Sequence, residues 1–240
     1  FTVVHYTLEL NETYVGLRYD TIFSGISTQN IKFQKEEVKK IIDSIEGRMI
    51  IKYYPTRAAS VNTLAAHLKQ LELKAIKPDL VIVDYADILK DSSGMREVRH
   101  QLGAVYEDLR GMAGEFKVPI WTASQANRSA LEEDVIEATK IAEAYSKIMI
   151  ADFVLSISRK AEDKLSHTAR CHIIKNRFGI DGITYPMNMN TNLGKIEIYE
   201  STTQSGREQQ GKMDNSEEFK RQLLASKYKD MKNNDVEGFE

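Results

Sequence analysis

Asp79-Leu80-Val81-Ile82-Val83-Asp84-Tyr85 is the stretch on which the fold turns. Four consecutive apolar residues ending in a carboxylate read as a buried strand of a parallel sheet. Ligands of open α/β sheets sit outside the C-terminal ends of such strands, so Asp84 is delivered to a ligand position. Phosphate-loop nucleotide hydrolases use a carboxylate there to order Mg2+. Taken alone, the pattern fits a strand with a turn residue equally well, so its neighbours decide.

On the C-terminal side, a helix is expected over about 95–117. Val98, Leu102, Val105, Leu109, Met112 and Phe116 step by four and three along it. Pro119 then leads into a short strand from Ile120 to Ser124. On the N-terminal side, residues 2–7 read as a strand, and Asn11 opens a helix to about Ser24 with Tyr14, Leu17 and Ile22 near one face. A second helix is expected over 34–46 and a strand from Met49 to Tyr54, stopped by Pro55. Asn62 is the expected cap of a helix bearing Leu64, Leu68 and Leu71. Alternating strands and helices through residue 124 predict a parallel sheet wound with helices. Further strands are expected at 151–158, 169–175, 183–189 and 195–199. They leave no room for crossover helices, so they are expected to pair antiparallel at one edge of the sheet.

The chain has 240 residues, 42% of them hydrophobic and 28% charged, which fits an ordinary globular protein. A net charge of −2 gives no global basic signature, although a local groove can be basic on a neutral protein. No run approaches the roughly 20 apolar residues of a membrane span, and no signal peptide is expected. The single cysteine, Cys171, cannot close an internal disulfide, which suits a reducing compartment. After Glu200 the composition changes. Residues 201–216 read as a flexible polar linker, and 216–233 as a charged helix or a frayed tail. The division expected is therefore 1–200 as the folded core and 201–240 as linker and tail.

Four short stretches fall at or just past strand ends: Thr7-Leu8-Glu9-Leu10, Asp84, Thr122 to Arg128, and Lys175-Asn176-Arg177-Phe178-Gly179. Phosphoryl transfer to water needs a phosphate cradle, a metal ligand, a group that positions water, and positive charge for the transition state. Glu9 is the right type for the water, and Gln125 for hydrogen bonding a γ-phosphate. Lys175 and Arg177, two apart on a strand, point the same way and form a cationic pair suited to a neighbouring subunit's phosphate. Arg is the fork-shaped donor of the two, which Lys does not replace. Each also has an ordinary reading. Glu9 could cap the next helix, Gln125 could satisfy backbone, and Lys175 with Arg177 could be a solvated edge.

The order and spacing of these motifs resemble the RecA-like ATPase domain of DnaB-type replicative hexameric helicases. The resemblance is strongest to the replicative helicases of T-even-like phages. It is carried by VVHYTLEL (3–10), VYEDLRGMAGEFKVPIWTASQANR (105–128), ADFVLSISR (151–159) and IKNRFG (174–179), and it covers roughly residues 1–200. It implies an α/β fold, a RecA-like phosphate-loop core with a parallel sheet flanked by helices and antiparallel strands at one edge. It further implies that Glu9 polarises the attacking water and that Asp84 binds Mg2+. Asp84 and Tyr85 would bind nucleotide. Gln125 would sense the γ-phosphate, and Arg177 would be a trans-acting finger assisted by Lys175. The cofactors implied are ATP and Mg2+. The partners implied are single-stranded DNA, copies of the same chain in a ring of six, a primase and a helicase loader. The setting implied is the cytoplasm of a bacterium or phage-infected host. The loops at 128–147 and 90–97 fall where the family places DNA-contacting loops, so Arg96, Arg128, Lys140 and Lys147 are candidate phosphate contacts.

One departure stands out. The sequence contains no G-x-x-x-x-G-K-[ST]. The family's phosphate loop lies just upstream of the strand that opens this chain, so the expectation is that it precedes Phe1. The chain alone is then expected to be inactive. Two other readings share the core: a recombinase- or clock-type ATPase that does not unwind DNA, and a non-catalytic assembly or loader-binding module.

Overall fold

The computed structural model describes residues 1–126, 133–138 and 144–215, together with positions 218 and 221. Four strands, β1 (Thr2–Thr7), β2 (Arg48–Tyr53), β3 (Leu80–Asp84) and β4 (Ile120–Thr122), form a parallel sheet in the order β2-β1-β3-β4. The helices between them are α1 (Glu12–Ser24), α2 (Thr28–Ile31), α3 (Lys35–Asp43), α4 (Val61–Leu73) and α5 (Val98–Phe116). Alternation sorts the strands' side chains between two faces. Val4 and Tyr6 of β1 lie in register with Val81 and Val83 of β3 on one face, where Leu64, Leu68 and Leu71 of α4 and Val105, Leu109, Met112 and Phe116 of α5 cover them. On the other face His5 meets Tyr19 of α1, ring edge to ring face at 5.7 Å.

The chain leaves β1 toward one face and β3 toward the other. These two strands are neighbours, so the sheet's topological switch point lies between them. The crevice that opens there, outside the strand ends, is where an open α/β sheet takes its ligand.

The remaining elements are α6 (Ala144–Ile150), β5 (Phe153–Ser158), α7 (Asp163–Ser166), β6 (Thr168–Asn176), β7 (Thr184–Asn190) and β8 (Lys195–Ile198). The four strands pair antiparallel in the order β5-β6-β7-β8. Among the described residues they form a ladder of their own, and Trp121 of β4 meets Phe153 of β5 with ring centres 6.2 Å apart. Their polar face is closed by a buried network. Asp163, wholly buried, pairs with Arg170 at 2.8 Å and accepts from Thr168 at 2.8 Å.

Three local expectations are corrected. Helix α4 begins at Val61 with Ser60 as its cap, not Asn62, and the Ser60 amide donates to Thr63 Oγ1 at 3.2 Å. On α1 the buried residues are Val15 and Thr21, while Tyr14 and Ile22 are exposed. On α5, Val98 is exposed and the buried stripe begins near Gly103. A larger correction concerns the expected linker. Residues 204–215 form a helix, α8, in which Gln209 and Met213 are buried. Gln209 Nε2 donates to the Met187 carbonyl of β7 at 3.0 Å. Gly206 packs so closely that an added Cβ would lie 2.0 Å from the Glu200 carbonyl oxygen. Three residues on one helical face therefore anchor a segment whose average composition is polar. Most of the expected helix at 216–233 lies outside the described residues.

His67 of α4 accepts or donates at Nδ1 to Tyr6 Oη, 2.9 Å away. Burial, then the charges of Lys52 and Lys74, hold its imidazole below the ordinary value. A lowered folded-state pKa means that, below about pH 6.5, the unfolded chain takes up a proton that the folded chain refuses. Stability is therefore expected to fall as pH drops from about 6.5. Denaturant midpoints at pH 7.5 and 5.5 should show a smaller acid loss for His67→Gln than for the unsubstituted chain. Equal losses would remove His67 as a source of the pH dependence.

Candidate functional site

Asp84 closes β3, and its in-register neighbour on β1 is Thr7. The Leu8 amide donates to the Asp84 carbonyl at 2.9 Å, which extends the pairing one step past the ladder. The Asp84–Tyr85 peptide is cis. The Asp84 side chain is 41% exposed and has His5 Nε2 3.9 Å from its Oδ2. His5 is buried. Its Nδ1 shares a hydrogen bond with Tyr19 Oη at 2.8 Å, while Nε2 has no hydrogen-bond partner among the described residues. Burial lowers the His5 pKa and Asp84 opposes the shift, so the ring is neutral near pH 7.

Tyr85 is the hub of the strand-end group. Gln125 Nε2 donates to Tyr85 Oη at 3.0 Å, across the gap between the ends of β3 and β4. The Tyr85 phenol is pushed up first by burial, then by the charges of Glu9, Asp87 and Asp84. Glu9 is exposed just past β1, so its carboxylate faces solvent beside this hub. Thr122 fixes the end of β4: its hydroxyl donates to the Val83 carbonyl at 2.9 Å and accepts from the Ala86 amide at 2.9 Å. Glu9, Asp84, Tyr85 and Gln125 are thus gathered at one sheet edge, as their positions after strands predict.

Mg2+ retains several waters and takes only one or two protein carboxylates beside substrate phosphates. Asp84, a partly exposed carboxylate at the strand end, meets that demand. A larger carboxylate cluster is not required.

Lys175 and Arg177 lie elsewhere. Among the described residues no hydrogen bond or ion pair joins them to Glu9, Asp84, Tyr85 or Gln125. Lys175 Nζ donates to the Ile148 and Met149 carbonyls at 2.7 and 2.9 Å, capping the C-terminal end of α6. Burial, then the charge of Arg177, lowers the Lys175 pKa. Arg177 Nη1 sits 2.7 Å from Asp152 Oδ1, and Arg110 Nη1 is 3.0 Å from the same oxygen. Two guanidiniums thus share one carboxylate, with the Lys175 ammonium beside them. Phe178 and Ile180 stand next in the chain, 86% and 73% exposed.

The four candidate DNA contacts divide. Arg96 is exposed, in a loop shaped by Asp91, which accepts from the Ser93 and Gly94 amides at 2.9 and 3.2 Å. Arg128 and Lys140 lie outside the described residues. Lys147 is corrected. Its side chain is 4% exposed, and Nζ donates to Asp87 Oδ2 at 2.8 Å and Ser124 Oγ at 3.0 Å. A buried ammonium already committed to a carboxylate does not reach a solvent-borne phosphate. Removing one partner of such a pair costs on the order of 3–5 kcal/mol. Sequence reasoning missed Asp87, Asp152 and Arg110. Asp87 had a signal in the second acid of Asp84-Tyr85-Ala86-Asp87, and Asp152 in its place just ahead of a strand.

The family described as DnaB-like helicase C terminal domain matches residues 1–197. The DnaB-like replicative helicase of Enterobacteria phage T4 is 29% identical over 190 residues, which is 74% of this chain and 40% of that protein. The replicative DNA helicase DnaB of Helicobacter pylori is 20% identical over 138 residues, 55% of this chain and 28% of that protein. The chain therefore spans less than half the length of these relatives. Among solved structures, a DnaB-like replicative helicase studied for its interactions with primase superposes with a TM-score of 0.69 at 19% identity, covering 83% of this chain and 51% of that one. A second solved structure, described as an ATPase domain, gives the same TM-score and identity, covering 83% of this chain and 75% of that one. These two share the RecA-like fold. With the family match spanning nearly the whole parallel and antiparallel core, the chain belongs to the DnaB-like helicase C-terminal domain family.

Proposed function

We propose that this chain is the ATPase core of a replicative helicase that moves along single-stranded DNA by hydrolysing ATP between subunits. The observation that carries this is the strand-end group around Tyr85. It assembles a metal-type carboxylate, a second carboxylate and an amide at the switch point of the sheet.

Bound Mg2+ and ATP would supply the reactive phosphoanhydride and neutralise its charge. Asp84 would hold the metal. Glu9, exposed and free to approach the crevice, would orient and deprotonate the attacking water. Gln125, which donates to Tyr85, would exchange that bond for the γ-phosphate. Arg177, with Lys175 beside it, would stabilise the transition state in the neighbouring subunit. Among the described residues no hydrogen bond or ion pair joins it to Glu9 or Asp84 of its own subunit, which supports a role in trans, as do the exposed Phe178 and Ile180. A contact of that kind joins unlike surfaces and forms a ring where its rotation closes, here proposed as a hexamer. Loss of the γ-phosphate would release Gln125 and Arg177 and let DNA-facing loops shift.

Exposed Arg96, with Arg128 and Lys140, is proposed to contact DNA phosphates, and binding would weaken with salt. One solved relative is described with its primase interactions, which supports a primase as a partner here. Relatives from a phage and a bacterium support the cytoplasm as the setting. No helix among the described residues is long and apolar enough to cross a membrane.

In the full-length protein, Glu9→Gln is expected to bind ATP yet lose DNA-stimulated turnover by about 10²–10⁴-fold. Unchanged turnover would remove Glu9 from the chemistry. Arg177→Ala is expected to bind ATP, to lose about 10³–10⁵-fold in turnover, and, when mixed with unsubstituted subunits, to silence only the interfaces at which it should supply the finger. Normal turnover by Arg177→Ala would end the finger assignment.

A further inference from the structure

One short segment, 147–152, touches both halves of the proposed machinery. At its start Lys147 Nζ binds Asp87, three residues past Asp84, and Ser124, the residue before Gln125. Tyr106 of α5 closes the cluster: its hydroxyl donates to Asp87 Oδ1 at 2.9 Å, and its ring lies 5.5 Å from the ammonium. The next residues, Ile148 and Met149, give their carbonyls to Lys175. Arg110 bonds both the Ile150 carbonyl and Asp152. Asp152 then holds Arg177 by its side chain at 2.7 Å and by its carbonyl, which accepts the Arg177 amide at 2.9 Å.

Five of the six residues from 147 to 152 therefore bind either Asp87 and Ser124, beside the strand-end group, or the cations around Arg177. Most of them lie on one seven-residue helix, so a displacement at Lys147 carries the carbonyls that seat Lys175 with it. A buried ion pair adds little net stability compared with apolar side chains of similar size. The Lys147–Asp87 pair is better accounted for by what it connects. We propose that Lys147 is a positioning residue that couples the Ser124–Gln125 edge of one nucleotide site to the Lys175–Arg177 pair the same subunit offers its neighbour. When Gln125 engages or releases a γ-phosphate, Ser124 moves with it. Lys147 passes that movement through α6 to the seats of Lys175 and Arg177.

This inference rests on the reading of Arg177 as a trans-acting finger, and complementation separates the two. In the full-length protein, Glu9→Gln subunits have a dead site and an intact finger. Arg177→Ala subunits have the reverse. A mixture of the two should regain ATP turnover at interfaces where one completes the other. Adding Lys147→Met to the Glu9→Gln subunit, whose own site is already silent, should lower the regained turnover at least about fivefold. Ring assembly, read by mass photometry, and the thermal midpoint of that subunit serve as controls for a purely structural effect. If Lys147→Met alone fails to assemble, Lys147→Met with Asp87→Asn removes both charges and is read in the same way. Regained turnover that is indifferent to the Lys147 change in assembled rings would overturn the coupling alone. No regain in the parent mixture would overturn the finger reading and the coupling with it.

Discussion

The parallel pairing of β1 with β3 is the constraint from which the rest of the molecule follows. Its register sets Thr7 against Asp84, and the Leu8 amide continues it onto the Asp84 carbonyl. Slipping β1 by one residue against β3 would turn Val4 and Tyr6 away from α4 and α5 and push His5 into their place. The apolar face therefore fixes where the carboxylates emerge. The chain departs from these two strands toward opposite faces, which opens the crevice beyond Asp84. Core packing and an open ligand crevice are consequences of the same arrangement.

Around that crevice the side chains hold one another. Gln125 rests on Tyr85, Thr122 bridges β4 to the turn after β3, and Lys147 fills the space between Asp87 and Ser124. The cations around Arg177 are likewise held by Asp152 and the end of α6. These contacts are of the same chemical kind as those a triphosphate would offer. Gln125 has an acceptor and Arg177 a carboxylate. In the proposed mechanism each group would therefore trade one polar partner for another.

What could be read from the sequence follows which interactions are local. The strand at 79–84 and the long helix before Pro119 announce themselves through runs and spacing, and they place Asp84 and Gln125 at strand ends. Glu9 is legible for the same reason. The pairing of Lys147 with Asp87 is not, because sixty positions separate them and a lysine in an acid-rich stretch looks solvated. The same holds for Asp152, whose partners Arg110 and Arg177 come from either side of it in sequence. The α8 helix was hidden by averaging: its polar composition masks Gly206, Gln209 and Met213, which fall on one face and dock it. The separate antiparallel ladder was only half legible. Short connections forecast its direction, but not that it would leave β4 at the edge of its own sheet.

The most direct test is a structure of the full-length protein with Mg2+, a non-hydrolysable ATP analogue and single-stranded DNA, read at the Arg177 guanidinium. Arg177 is expected to leave Asp152 and reach the γ-phosphate of a nucleotide held at the Asp84–Gln125 edge of the adjacent subunit. A nucleotide seated away from Asp84 would contradict this, as would Arg177 remaining on Asp152 beside an occupied neighbouring site.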